Sequence, residues 1–153
     1  MDELLAAGFT ENIAIRLLEL CTNGYAKALI MGISGPDHAD QFSLWSRAAR
    51  SAKKSKPRLK YGQYLRIEHG TPRRQFARLV LLAFRHQKLT KSWMDKHCKT
   101  KWRVAVVTQE EDRRLVRSRL YKSPQARWRA AGISFDVNYS TRVQDVLDGS
   151  HKK

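Results

Sequence analysis

Residues 24–66 read GYAKALIMGISGPDHADQFSLWSRAARSAKKSKPRLKYGQYLR. The order predicts a short helix over Tyr25 to Met31, a tight corner at Gly32-Ile33-Ser34-Gly35-Pro36, a second helix from Asp37 to about Ser51, and a basic tail. Gly32 can take the positive φ that ends a helix, and Gly35-Pro36 cannot continue one. Ser34 or Asp37 is placed to cap the second helix, with Pro36 or His38 near its first turn. On that helix Ala39, Phe42, Leu44 and Trp45 form an inward stripe. His38, Gln41, Ser43, Arg47 and Arg50 are left outside, and these are types that reach base edges and phosphates. The stretch therefore predicts a helix-turn-helix followed by an arm on nucleic-acid phosphates.

Charge points the same way. The 153 residues carry a formal net charge of +16, with a pI near 10.4. A polyanionic partner is the first expectation from such an excess, and nucleic acid is the commonest. The excess is local. From Met1 to Ser46 there are six acids and two bases, and from Val104 onward ten bases and six acids. From Arg47 to Arg103 there are eighteen bases and only Glu68 and Asp95 as acids. A merely soluble surface interleaves the two signs. The central block reads as a binding face, and its candidate DNA contacts are Ser34, His38, Gln41, Arg47, Arg50, Lys53, Lys54, Lys56, Arg58, Lys60, Arg66, Arg73, Arg74, Lys99, Lys101 and Arg103.

Outside that block the pattern is mainly helical, with a short β element in the C-terminal third. Thr10 caps a helix to about Cys21, whose Ile13, Ala14, Leu17, Leu18 and Cys21 share an inward face, and Thr22-Asn23-Gly24 reads as a turn. Ser51 to Lys60 is predicted to run extended, because Pro57 forces Lys56 away from helical angles. Glu68-His69 reads as a turn before Thr71-Pro72, an N-cap with proline at the first helical position. The helix it opens runs to about Leu89, with Phe76, Leu79, Val80, Ala83 and Phe84 inward. Lys91 to Arg103 is a second basic patch around Trp93 and Trp102. Trp102 to Val107 is a candidate strand. Thr108 and Glu111 form a capping box for a helix to Tyr121 with Leu115, Val116 and Leu120 inward. Ser123-Pro124 opens a short helix to Ala131, closed by Gly132. Ile133, Phe135, Val137 and Tyr139 alternate with polar residues as a half-buried strand does, predicted to pair with Trp102 to Val107 or with its own copy across a dimer axis. Ser140 caps a last helix to Leu147. The regions expected are 1–66 (helix-turn-helix and arm), 67–101 (central helix and basic patch), 102–148 (strand-helix-helix-strand-helix, a candidate dimerisation region) and a tail at 149–153.

Two stretches resemble known regulators. Ala7-Gly8-Phe9-Thr10-Glu11-Asn12-Ile13-Ala14, with Leu17 and Leu18, looks like the Gly-x-x-Glu-Glu-x-Ala helix opening of the FlhD side of the flagellar master activator and its relatives on conjugative elements. Gly24 to Arg50, with Met31-Gly32-Ile33-Ser34 and Leu44-Trp45-Ser46-Arg47, then Pro57 to Tyr61, is similar to the helix-turn-helix and basic tail of the FlhC-like group. The resemblance spans Ala7 to about Tyr64 and implies a DNA-binding transcriptional activator working as a multimer, with Ser34, Gln41, Arg47 and the tail on DNA. The four zinc cysteines of FlhC have no counterpart here; Cys98 stands alone in the later region.

No cofactor, metal or catalytic site is expected. His97 and Cys98 stand side by side with no second ligand pair, and no phosphate loop, nucleophile elbow or paired carboxylate motif is present. Cys21 and Cys98 are too few for a disulfide framework. Met1-Asp-Glu lacks the positive charge of a signal peptide, and the apolar run Ala77 to Phe84 is too short to span a bilayer. The leading expectation is a cytoplasmic, sequence-specific duplex-DNA-binding transcriptional regulator, an activator on a bacterial or mobile-element promoter, acting as a homodimer or multimer or completed by a related partner subunit. Three rivals stand beside it. One is an RNA or single-strand binder using Tyr61, Tyr64, Trp93 and Trp102. Another is a ribbon-helix-helix dimer with Arg103 and Ala105 facing the groove. The third is a basic inhibitor or adaptor docking on an acidic protein or a protein–RNA complex.

Overall fold

The computed structural model describes residues 8, 10–119 and 121–136. Their elements are α1 (Glu11–Met31), a 3-10 turn (Ala39–Gln41), α2 (Arg47–Ser55), a second 3-10 turn (Tyr61–Gln63), β1 (Leu65–His69), α3 (Arg73–Arg85), α4 (Lys91–Lys101), β2 (Val104–Thr108), α5 (Gln109–Arg113) and α6 (Pro124–Ala130). The class is mainly α with one small antiparallel sheet, as expected. The chain divides into two compact units. Unit 1 holds residues 1–36 and 71–102, and unit 2 holds 37–70 and 103–153. Among the described residues no helix is long and apolar enough to cross a membrane.

Unit 1 contains α1, α3 and α4. The turn expected at Thr22-Asn23-Gly24 is absent, because α1 runs unbroken for 21 residues. Thr22 Oγ1 donates to the Leu18 carbonyl at 2.6 Å, so its hydroxyl is satisfied within the helix. The interior Gly24 costs about 1 kcal/mol relative to alanine, less than the packing on either side of it supplies. The inward face is also shifted from the expected one. Ala14 and Ile15 are buried, whereas Ile13 and Leu17 are exposed, as is Cys21. Ile15 packs with Ala77 and Leu81 of α3, joined by Leu18. Burying a side chain of that size contributes about 1.5–3 kcal/mol. Gly32 ends α1 at φ 67°, its N–H donating to the Ala28 carbonyl at 2.9 Å. Buried Lys27 then ties down the corner, donating to the carbonyls of Gly35 at 3.1 Å and Pro36 at 2.9 Å.

α3 begins one residue after Pro72 and stops at Arg85, short of Leu89. Thr71 does not cap it; the Thr71 hydroxyl donates to the Lys101 carbonyl at 2.9 Å. Phe76, Val80 and Ala83 are buried as expected, and so are Ala77 and Leu81, while Phe84 is exposed. Thr90 caps α4 by accepting the Trp93 N–H at 3.1 Å.

Unit 2 is organised around β2, whose Val104 to Val107 are all buried. A strand covered on both faces reads as a continuous apolar run, and this one is central. Along one edge it pairs antiparallel with β1, from Leu65↔Thr108 to His69↔Val104. Along the other edge Trp45 forms a bridge to Val106, with Ser46 N–H donating to the Val106 carbonyl at 2.9 Å and Val106 N–H to the Leu44 carbonyl at 2.8 Å. Glu68 and His69 are thus strand residues, not a turn. With both edges taken and Ala105 fully buried, β2 is not the exposed ribbon that a ribbon-helix-helix dimer requires. Phe135, expected opposite residues 102–107 or opposite its own copy across a dimer axis, bridges Ser46. The core is Ala105, Val107, Leu115, Trp128 and Ile133, covered by Leu44, Ala131 and Phe135.

The caps of unit 2 follow the sequence. Thr108 and Glu111 form their reciprocal capping box, and Ser123 accepts the Ala126 N–H at 3.2 Å to start α6. Gly132 follows α6 at φ 67°. α5, however, ends at Arg113 rather than Tyr121, leaving Val116 exposed. Leu120, the strand residues Val137 and Tyr139, the helix from Ser140 and the tail lie outside the described residues.

Candidate nucleic-acid interface

The helix expected from Asp37 does not form. Residues 37–46 hold only the three-residue 3-10 turn, and the helix starts at Arg47. The helix-turn-helix is therefore not seen, since one expected arm is the end of α1 and the other is largely extended. The apolar reading survives the change of conformation: Ala39, Phe42 and Trp45 are buried and Leu44 half-buried. Ten residues were misplaced because Ser46 is a better cap than Ser34 or Asp37. Its hydroxyl oxygen accepts the Ala49 N–H at 3.0 Å and its O–H donates to Glu111 Oε2 at 2.6 Å. Glu111 is itself held by the Thr108 N–H at 2.9 Å. The start of α2 is thereby fixed to the capping box that follows β2.

Ala49 faces inward from α2 and is fully buried, while Arg47, Arg50, Lys53 and Lys54 border an open groove of about 820 Å³. Phe42, Trp45 and Pro57 supply its apolar surface, and Asp136 also lines it. Lys53 meets one acid and two aromatic rings. Its Nζ lies 3.2 Å from Asp40 Oδ1, 4.8 Å from the Trp45 ring centre and 5.1 Å from that of Tyr61. Hydrogen bonding to Tyr61, then to Asp40, raises its pKa, so it is firmly cationic. Trp45 and Tyr61 meet edge to face at 5.9 Å, Tyr61 and Tyr64 at 6.4 Å, and Lys56 stands 5.8 Å over the Tyr64 ring.

The other expected contacts divide. Gln41 turns back on its own loop, its Oε1 accepting the His38 N–H at 3.0 Å, an internal role for a residue expected to face bases. Helix α2 continues through Ser51 to Ser55, and the chain then turns, the Leu59 N–H donating to the Lys56 carbonyl at 3.2 Å, where an extended arm is expected; Lys56, Arg58 and Lys60 are exposed. Arg66 donates to the carbonyls of Gly62 at 2.7 Å and Leu65 at 2.8 Å. Arg103 is half-buried, and burial lowers its pKa. Ser34, Arg73, Arg74, Lys99 and Lys101 belong to unit 1, where Arg74 donates to Asn12 Oδ1 at 2.5 Å. The sequence reading missed Asp136 and Ser46. Strand alternation put Asp136 outward but gave no sign that it would meet α2, 89 residues away.

Among the described residues no group of three or more His, Cys, Asp or Glu side chains is placed to hold a metal ion. Compared with models of known families, with curated proteins and with solved structures, the chain matches none.

Proposed function

We propose that the chain is a duplex DNA-binding regulator that grips the phosphate backbone with the basic face of α2 and the arm at Lys56, Arg58 and Lys60. The observation that carries this reading is the cluster of Arg47, Arg50, Lys53 and Lys54 along one groove, on a helix whose start is locked by Ser46 and Glu111. Fixed cations lose little freedom on binding, and releasing the counterions that DNA condenses is favourable. In this reading α2 replaces the stretch from Asp37 as the element presented to the duplex, with Arg47 and Arg50 among its phosphate contacts. The role is binding rather than catalysis.

A single-strand binder needs aromatic faces on which bases can stack. Tyr61 and Tyr64 are engaged with each other, Trp93 is stacked on His97, and Trp102 Nε1 donates to Asn23 at 3.0 Å. Those engagements favour the duplex.

The test is fluorescence anisotropy with duplex DNA, single-stranded DNA and RNA of mixed sequence, across a salt series. The four cations of α2 alone account for an affinity loss on the order of a hundredfold between 50 and 200 mM salt, beyond what the arm contributes. Replacing Arg47, Arg50, Lys53 and Lys54 together by alanine should remove most of that slope. Equal or tighter binding to single strands, or a salt slope unchanged in the fourfold variant, sinks the proposal.

A further inference from the structure

An acid already sits among the arginines of α2. Asp136 presents one carboxylate oxygen to Arg47 Nε at 3.1 Å and the other to Arg50 Nε at 3.7 Å. Backbone pairing delivers it there: Phe135 bridges Ser46, and the Arg47 N–H donates to the Ser134 carbonyl at 3.0 Å. One anion thus offers two oxygens to two guanidinium groups at the start of a helix. The two non-bridging oxygens of a phosphodiester would meet the same pair of cations.

We infer that Arg47 and Arg50 form a single phosphodiester subsite for the DNA backbone and that Asp136 is its built-in competitor, displaced when DNA binds. The inference rests on the duplex-binding reading. Displacement is inexpensive because the side chains of Arg47, Arg50 and Asp136 are 59%, 36% and 46% exposed, and an ion pair open to water is worth little. A duplex brings many phosphates and gains counterion release that a lone carboxylate does not. Asp136 therefore lowers affinity for weak or isolated anions more than for a duplex that engages the whole groove. Lys53 has its own acid in Asp40, at 3.2 Å, so the competitor acts on the two arginines.

The experiment is anisotropy with the full chain and a short mixed-sequence duplex at fixed low salt. Asp136→Asn should bind about twofold to fivefold more tightly, the range an exposed ion pair corresponds to. In an Arg47→Ala/Arg50→Ala background the same substitution should change affinity little. Glu110→Gln, which removes an exposed acid of α5 that does not line the groove, measures the effect of net charge alone and should fall well short of Asp136→Asn. An Asp136→Asn variant that binds no more tightly than the wild type, or a Glu110→Gln variant that matches it, overturns the competitor while leaving salt-dependent duplex binding in place. Failure of the wild type itself to bind duplex at low salt removes both.

Discussion

Two sheltered ionisable side chains, His97 in unit 1 and Glu68 in unit 2, are held in opposite ways. In unit 1, His97 lies between Phe76 and Trp93, with ring centres 4.7 and 4.5 Å away and the planes nearly parallel. Its Nε2 is buried with no hydrogen-bond partner, and burial, aided by Lys101, lowers its pKa to about 4. Unit 1 thus holds a neutral ring as an apolar slab. In unit 2, Glu68 is buried against Arg127, which is itself almost wholly buried and donates also to the carbonyls of His69 at 3.0 Å and Val116 at 3.3 Å. Burial raises the Glu68 pKa to about 7, outweighing the opposing pull of Arg127, and the neighbouring Asp112 carboxyl adds to the rise. His97 is sheltered as a neutral ring and Glu68 beside a charged partner, which makes the Glu68 site the more sensitive to loss of a single residue.

The largest break of that contrast is Arg127→Ala. Removing one member of a buried pair leaves an uncompensated acid and two carbonyls short of a donor, at a cost of about 3–5 kcal/mol. That is a large share of the roughly 5–15 kcal/mol that holds a typical domain together. Urea denaturation should show the loss, and the double change Glu68→Leu/Arg127→Met should recover much of it, since an apolar pair of similar volume needs no partner. A loss below about 1 kcal/mol for Arg127→Ala would show that the pair contributes no more than a surface contact.

That network explains what could and could not be read from the sequence. Signals confined to a few residues came through: the Thr108–Glu111 box, the Ser123-Pro124 start, Gly32 after α1 and Gly132 after α6 all stand where their chemistry put them. Strand β1 did not, because Leu65-Arg66-Ile67-Glu68-His69 has an acid at an inward position. Glu68 is tolerable there only through Arg127, 59 residues later. The start of α2 failed for a related reason, as Ser46 gains its standing from Glu111, 65 residues on. The turn at Asn23-Gly24 was overridden by helix packing on both sides. The basic block was legible as a concentration of charge, but its division between two units was not, since the units interleave along the chain.

A smaller effect is expected at Gly70, beside the same network. A Cβ built there would lie 2.3 Å from Pro124 Cβ and 2.8 Å from Trp128 Cζ2. The need for glycine is thus one of space, where α6 closes on the end of β1. Gly70→Ala should cost about 1–3 kcal/mol, as overpacking does, and should shift the fluorescence of Trp128. An alanine variant with wild-type stability would mean that α6 can retreat without loss.

The subtlest test sets the two units against each other in pH. The folded pKa of Glu68, about 7, lies above its ordinary 4.5, so the folded form holds its proton more tightly. Its contribution is complete below pH 4.5 and is lost as pH rises through 7. His97 has the opposite sign, because its folded pKa of about 4 lies below the ordinary 6.5. Its contribution is complete above pH 6.5 and disappears as pH falls through 4. Native-state amide exchange between these limits, corrected for intrinsic chemistry, should show protection of β1 and β2 falling as pH rises and protection of α3 and α4 falling as pH drops. Glu68→Gln should flatten the first trend alone and His97→Gln the second. Parallel trends in both units would mean that Arg127 keeps Glu68 ionised throughout, so that unit 2 holds a full ion pair where unit 1 holds a neutral ring.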